Sequence, residues 1–336
     1  MSETLQAAVS LALVVLAAVG LPILGMRMLV PVLAAPERMH PNYRGKQVFL
    51  GLGVVWIIWA LGVALLQWML PALSFTSAGL VPAVLGSAAW LATVCFALGL
   101  VDDAFGTTAE KGLRGHLRAL AKGRLTTGGL KLMGIGAASL VAASGAREWL
   151  GVLSGRSGGA TAVEVVLATV VIAGMSNLLN LLDLRPGRAL KAYLVLAFVA
   201  WVLLVGVSSR WAGLQMSAGL FGALSMAVAL AGPVLAVWRF DLGEVGMLGD
   251  AGANPAGAVA GFVFALSLPL WGLALVAALV VAANLASERV SFSALIEDSA
   301  VLSRLDAFGR ADTFSNASDE SPTSREGGVP RSSSDR

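Results

Sequence analysis

Residues 47–101 contain no Asp, Glu, Lys or Arg at all, and the same holds for 251–287, 211–238 and 4–26. A soluble fold must cover its core with a charged surface and cannot leave such lengths of chain uncharged. A helix that crosses a bilayer, by contrast, needs about 20 consecutive apolar residues. The chain is therefore built for lipid. Its 336 residues are 57% hydrophobic and only 13% charged, with a mean hydropathy of +0.82. The single cysteine, Cys95, lies inside an uncharged run, which excludes an intrachain disulfide; two histidines and one cysteine exclude a structural zinc site.

The first cation, Arg27, follows the first apolar run instead of preceding it, the reverse of a cleavable signal peptide, so 5–26 reads as a retained span. Divided at Pro and Gly breaks, the uncharged runs predict nine transmembrane helices near 5–29, 48–69, 79–101, 129–145, 160–176, 190–208, 214–238, 254–269 and 270–286. With the N-terminus outside, the inner segments are 30–47, 102–128, 177–189, 239–253 and the tail from 287. Only Arg147, Arg156 and Arg210 of the 23 Lys and Arg residues then fall outside. That asymmetry predicts an N-out, C-in orientation. The expected fold class is an all-α polytopic membrane protein with a transmembrane domain over 1–286. Residues 287–310 mix apolar side chains with charges, which predicts a helix along the inner membrane surface. Residues 311–336, with seven serines and almost no large apolar residue, are expected to be disordered. No internal repeat is visible and the acids sit near helix ends, both of which argue against a secondary transporter.

Chemistry is to be sought where polar residues press against these spans. Asp102 and Asp103 form an acidic pair at the inner end of the third span. Acid at a helix C-terminus opposes the macrodipole, so topology alone does not ask for it. Successive helical residues diverge by about 100°, which predicts different roles for the two. Asn177, Asn180 and Asp183 share a sector of roughly 120° if the fifth helix continues, and suit either a ligand or a hydrogen bond to a neighbouring helix. Arg185, Arg188 and Lys191 follow, as phosphate-binding cations or as inner-face anchors. Gly249-Asp250-Ala-Gly252 brackets an acid with glycines, allowing close backbone approach to a ligand and a divalent ion at Asp250. Under the expected topology Asp102, Asp103, Asp183 and Asp250 all reach one membrane face. The basic stretch from Lys111 to Lys131 suits anionic lipid or lipid phosphate better than nucleic acid.

In this order and on this side, the strings resemble those of the polyprenyl-phosphate N-acetylhexosamine-1-phosphate transferases, the superfamily of lipid I synthase. The resemblance spans roughly 36–265 and includes Met39-His40-Pro41-Asn42-Tyr43-Arg44-Gly45 as a first inner loop. It implies Mg²⁺-dependent transfer of a sugar-1-phosphate from a UDP-sugar to polyprenyl phosphate at the cytoplasmic face of a bacterial plasma membrane, with release of UMP. Asp250 would ligate Mg²⁺, Asp102 or Asp103 would position or deprotonate the lipid phosphate, and Asp183 would join the catalytic set. Asn177, Asn180, Arg185, Arg188, Arg44 and His116 would contact substrate, His116 being equally suited to a helix end. The chain departs from the pattern at Gly106 and Met247, in Leu184-Arg185-Pro186-Gly187 where Gly-x-Asp-Gly is expected, and in lacking a histidine-rich last inner loop. Those departures leave a second expectation, a non-catalytic descendant that binds lipid phosphate or nucleotide. A homodimer is compatible with the sequence, which does not specify the sugar.

Overall fold

Lipid offers no hydrogen-bond partner, so an uncharged run satisfies its backbone by coiling on itself. The computed structural model describes residues 2–72, 81–106, 112–153, 160–211 and 216–310, and these are almost wholly helical. Helix α1 (Glu3–Val15) continues through one π turn at Leu16–Gly20 into α2 (Leu21–Leu33), and then come α3 (Val55–Ala72), α4 (Val81–Phe105), α5 (Gly112–Ala121) and α6 (Thr127–Leu153). They are followed by α7 (Ala162–Leu182), α8 (Arg188–Trp211), α9 (Met216–Leu242), α10 (Asp250–Ser267) and α11 (Leu270–Ser287). Eight of the described helical segments are long and apolar enough to cross a membrane, and they coincide with eight of the expected spans.

The ninth expected span, 254–269, corresponds to α10 and differs in kind: every residue from Ala251 to Ser267 is buried. Helices α4, α6, α7 and α8 pack around it. Its Gly and Ala content is the cause, because membrane helices approach closely through small residues. A Cβ on Gly257 would collide with the Met175 carbonyl of α7, and one on Gly99 of α4 with the Asp250 carbonyl. Two indoles lock α3 to later helices. Trp56 Nε1 donates to the Gly252 carbonyl and Trp59 Nε1 to that of Ala229, each at 2.9 Å, and the rings meet edge to face at 5.6 Å. Buried tryptophan is tolerated because each N–H finds an acceptor.

Two features go beyond the sequence reading. Arg147, counted there among the cations of the outer side, is only 2% exposed. Its Nη1 donates to the carbonyls of Ala265 and Leu268 at 3.1 and 2.7 Å, and its Nη2 to Glu164 Oε1 at 2.8 Å. The last carbonyls of α10 have no partner within their own helix, and the guanidinium supplies one. Glu164 in turn completes a capping box with Thr161 at the start of α7. The second is a small sheet at the other end of the bundle. Strand β1 (Met39–Pro41) pairs antiparallel with β2 (Gln47–Leu50), which runs parallel to β3 (Gly246–Met247) in the register Phe49↔Gly246. Three such short strands carry no period long enough to read in sequence.

The expected surface segment forms two short helices, α12 (Phe292–Asp298) and α13 (Ala300–Ala307), with Val301, Leu302, Leu305 and Phe308 exposed. The tail 311–336, Lys111 and Arg156 lie outside the described residues. Breaking a buried ion pair strands a charge, whereas replacing both partners does not. Arg147→Met is therefore expected to lower unfolding free energy by about 3–5 kcal/mol, and Arg147→Met/Glu164→Leu to recover most of that loss in detergent unfolding titrations.

Candidate active site

Helix α4 runs unbroken through its acidic pair to Phe105, so Asp102 and Asp103 project in different directions. Asp103 points at the start of α10, where Gly249 turns the chain at φ +63°. Its Oδ1 accepts from Asp250 N at 3.0 Å and its Oδ2 from Ala251 N at 2.9 Å. Asp183, the C-cap of α7, accepts from Gly249 N through Oδ2 at 2.9 Å. Three consecutive N–H groups, which no earlier turn of α10 could bond, are thus satisfied by two carboxylates from distant parts of the chain. Asp102 instead faces α6: Lys131 Nζ lies 2.7 Å from its Oδ2 and also bonds Asp250 Oδ2. The four acids singled out in the sequence therefore meet around one turn, Gly249-Asp250-Ala251.

Asp183 and Asp241 crowd the next segment. Burial, together with the neighbouring Asp241 charge, pushes the Asp183 carboxyl well above the usual carboxylate range, against the pull of the Gly249 N–H. Asp241, buried at the end of α9, accepts from Gly187 N at 2.5 Å and so holds the turn that follows α7. The loop that joins β1 to β2 is stapled alongside by the pairing of β2 with β3, and places Tyr43 under the guanidinium of Arg185, 5.2 Å from the ring centre. Arg44 lies over the same ring and 3.9 Å from Glu244.

Other expected contacts are engaged within the protein. Asn177 Nδ2 donates to Asn284 Oδ1 of α11 at 2.6 Å, the helix-to-helix bond that was one of its two readings. Asn180 is half-buried between Asn177 and Asp183 along α7. His116 sits in α5 with Nδ1 2.9 Å from Thr126 Oγ1, where it braces the turn into α6. Arg188 forks onto Asp306 of α13 through Nε and Nη2 at 2.9 and 3.0 Å, and Arg185 pairs with Glu297 of α12. Burial pushes the Asp306 carboxyl up, but Arg188 and Arg310 outweigh it and hold the group below its ordinary value.

Sequence reasoning missed three of these residues. Lys131 was read only as part of a basic stretch, although it is the lone charge between Arg124 and Arg147, a usable signal. Asp241 and Asp306 gave none, since each is defined by a partner far away in the chain.

Among the described residues no three His, Cys, Asp or Glu side chains form a group able to cage a metal. Mg²⁺ does not require one, because it takes one or two carboxylates and completes its shell with water and substrate phosphate. Asp102 and Asp250 each direct an oxygen at one point, the Lys131 ammonium, and this pair of hard oxygens fits such a cation. No family model, curated protein or solved structure matches the chain. Fold and site together define a helical, membrane-embedded polytopic protein with a charged cluster at one end of its bundle. Replacing Lys131 by Met leaves two carboxylates facing each other without a countercharge. Thermal unfolding in detergent is expected to show a loss of about 3 kcal/mol, part of which millimolar Mg²⁺, but not Na⁺ at equal ionic strength, restores.

Proposed function

We propose that the protein is a Mg²⁺-dependent transferase that moves a sugar-1-phosphate, of the N-acetylhexosamine type, from a UDP-sugar to polyprenyl phosphate. The reading places it in a bacterial plasma membrane with nine spans, α10 among them, N-out and C-in, so that the cluster faces the cytoplasm and initiates a cell-envelope glycopolymer. One observation carries it: Asp102, Asp103, Asp183 and Asp250, chosen from separate stretches of sequence, converge with Lys131 on the first turn of α10.

In the reaction an oxygen of the lipid phosphate attacks the sugar-bearing phosphorus, a new P–O–P bond forms, and the bond to the bridging oxygen of UMP breaks. Phosphoryl transfer asks mainly for positioning and charge neutralisation. Asp102, ion-paired with Lys131, positions the lipid phosphate, and any proton that phosphate still carries is lost to water. Lys131 offsets negative charge gathering between Asp102 and Asp250. Asp103 and Asp183, their oxygens held by backbone N–H groups, are positioning residues that fix the Gly249–Asp250 turn. Mg²⁺, held by Asp250 with Asp102, would supply charge stabilisation at the phosphates. Asn180 and the loop following Asp183 face the sugar nucleotide.

A second reading, a binding protein of the same fold without turnover, is favoured by Lys131 already spanning the two carboxylates. Full-length protein supplied with Mg²⁺, undecaprenyl phosphate and a panel of UDP-sugars separates them through UMP release. Asp250→Asn is expected to reduce turnover about 100-fold or more, a loss of roughly 3 kcal/mol of transition-state stabilisation, with unchanged folding. Binding of both substrates with no UMP from any sugar nucleotide selects the second reading. Orientation is checked separately: a cysteine replacing Ser154 is expected to label in intact cells and one replacing Ser318 only after permeabilisation, with Cys95 silent because it is buried.

A further inference from the structure

The two arginines after Asp183 do not stand open. Arg188 grips the Asp306 carboxylate with a two-bond fork and donates from Nη1 to Ser293 Oγ at 2.9 Å. Arg185 pairs with Glu297 and lies 3.9 Å from Asp306 Oδ2. Lys191, one turn further along α8, donates to the carbonyls of Leu305 and Asp306 at 3.0 and 2.8 Å. Arg310 closes the ring, reaching Asp306 Oδ2 at 2.5 Å and the Pro186 carbonyl at 3.3 Å. Four cations thus surround Asp306, which is nearly buried, and Glu297, with the buried Asp241 adjoining them at Gly187, at the end of the helix bundle that carries the acid cluster.

A guanidinium fork fits a phosphate as well as it fits a carboxylate. The excess of positive charge means that an anion with more charge than one carboxylate is held more strongly in the same place. The element that delivers Asp306 is also poorly rooted. Helix α13 has eight residues, too few to be stable alone. Its outward side chains Val301, Leu302, Leu305 and Phe308 are exposed, Phe308 by 72%. An apolar outer face gives the segment a lipid surface to rest on once its polar contacts are released.

We propose that Arg185, Arg188 and Lys191 form a diphosphate-binding site, and that Asp306 is its built-in competitor, so that α12 and α13 act as a strap which the ligand must displace. That the diphosphate belongs to a sugar nucleotide rests on the function proposed above; the cation ring and its carboxylate occupant do not. The strap makes ligand binding weaker than the bare cations would allow and couples it to movement of the C-terminal segment.

The test is calorimetric titration of the full-length protein in nanodiscs with inorganic pyrophosphate. Asp306→Asn keeps the side chain's shape and removes its charge, and is expected to bind pyrophosphate at least tenfold more tightly than wild type. Adding Arg188→Ala to that variant should abolish the gain. An unchanged or weaker affinity in Asp306→Asn overturns the proposal. If that variant does not fold, Glu297→Gln at the half-exposed edge of the strap should give a gain of about threefold, and no gain there overturns it equally. Polyprenyl phosphate added to the nanodiscs distinguishes the source of the phosphate: a gain that it cancels assigns the site to the lipid and overturns the diphosphate assignment. The two readings fail separately. Absence of UMP release leaves the pyrophosphate result untouched, whereas normal UMP release without any gain in Asp306→Asn removes the strap alone.

Discussion

A helix that begins inside a packed bundle has N–H groups that neither water nor its own turns can satisfy, and α10 begins that way. Everything at this end of the molecule follows from how those groups are answered. Asp103 and Asp183 accept three of them, which ties the end of α4 and the end of α7 to one turn of chain. The positive end of the helix dipole lowers the cost of holding anions there. Side chains from distant parts of the chain are thereby held together by a requirement of the backbone.

The opposite end of α10 obeys the same rule with reversed sign. Its unpaired carbonyls are met by Arg147, whose charge is in turn balanced by Glu164. A helix of small residues, surrounded on all sides, is thus closed by acids at its start and a guanidinium at its finish. The difference lies in accessibility. Arg147 and Glu164 are sealed, while Lys131, Asp102 and Asp250 keep part of their surface exposed.

Much of this was legible in the chain because lipid imposes a simple grammar. Uncharged runs located eight spans, though α6 and α7 extend several residues past the expected ends, and acids at the ends of such runs gave four members of the cluster. The Asn177-Asn180-Asp183 spacing was read as one helical sector, and α7 does extend to Leu182, yet the residues at its two edges go to different partners, Asn284 and Gly249. That division cannot be read from one helix, because it depends on which neighbours flank it. The same limit hid Asp241, which holds Gly187, and Asp306, which holds Arg188. The burial of Arg147 was not legible, because counting charges by side says nothing of which are enclosed.

The order in which the chain emerges during synthesis gives the indole bonds of α3 another meaning. Trp59 waits for an acceptor 170 positions later and Trp56 for one 196 positions later, and β2 finds its parallel partner only with Gly246. Until α9 and α10 are made, the two indoles of α3 have no native acceptor, so the N-terminal helices reach their final packing only after most of the chain has been added.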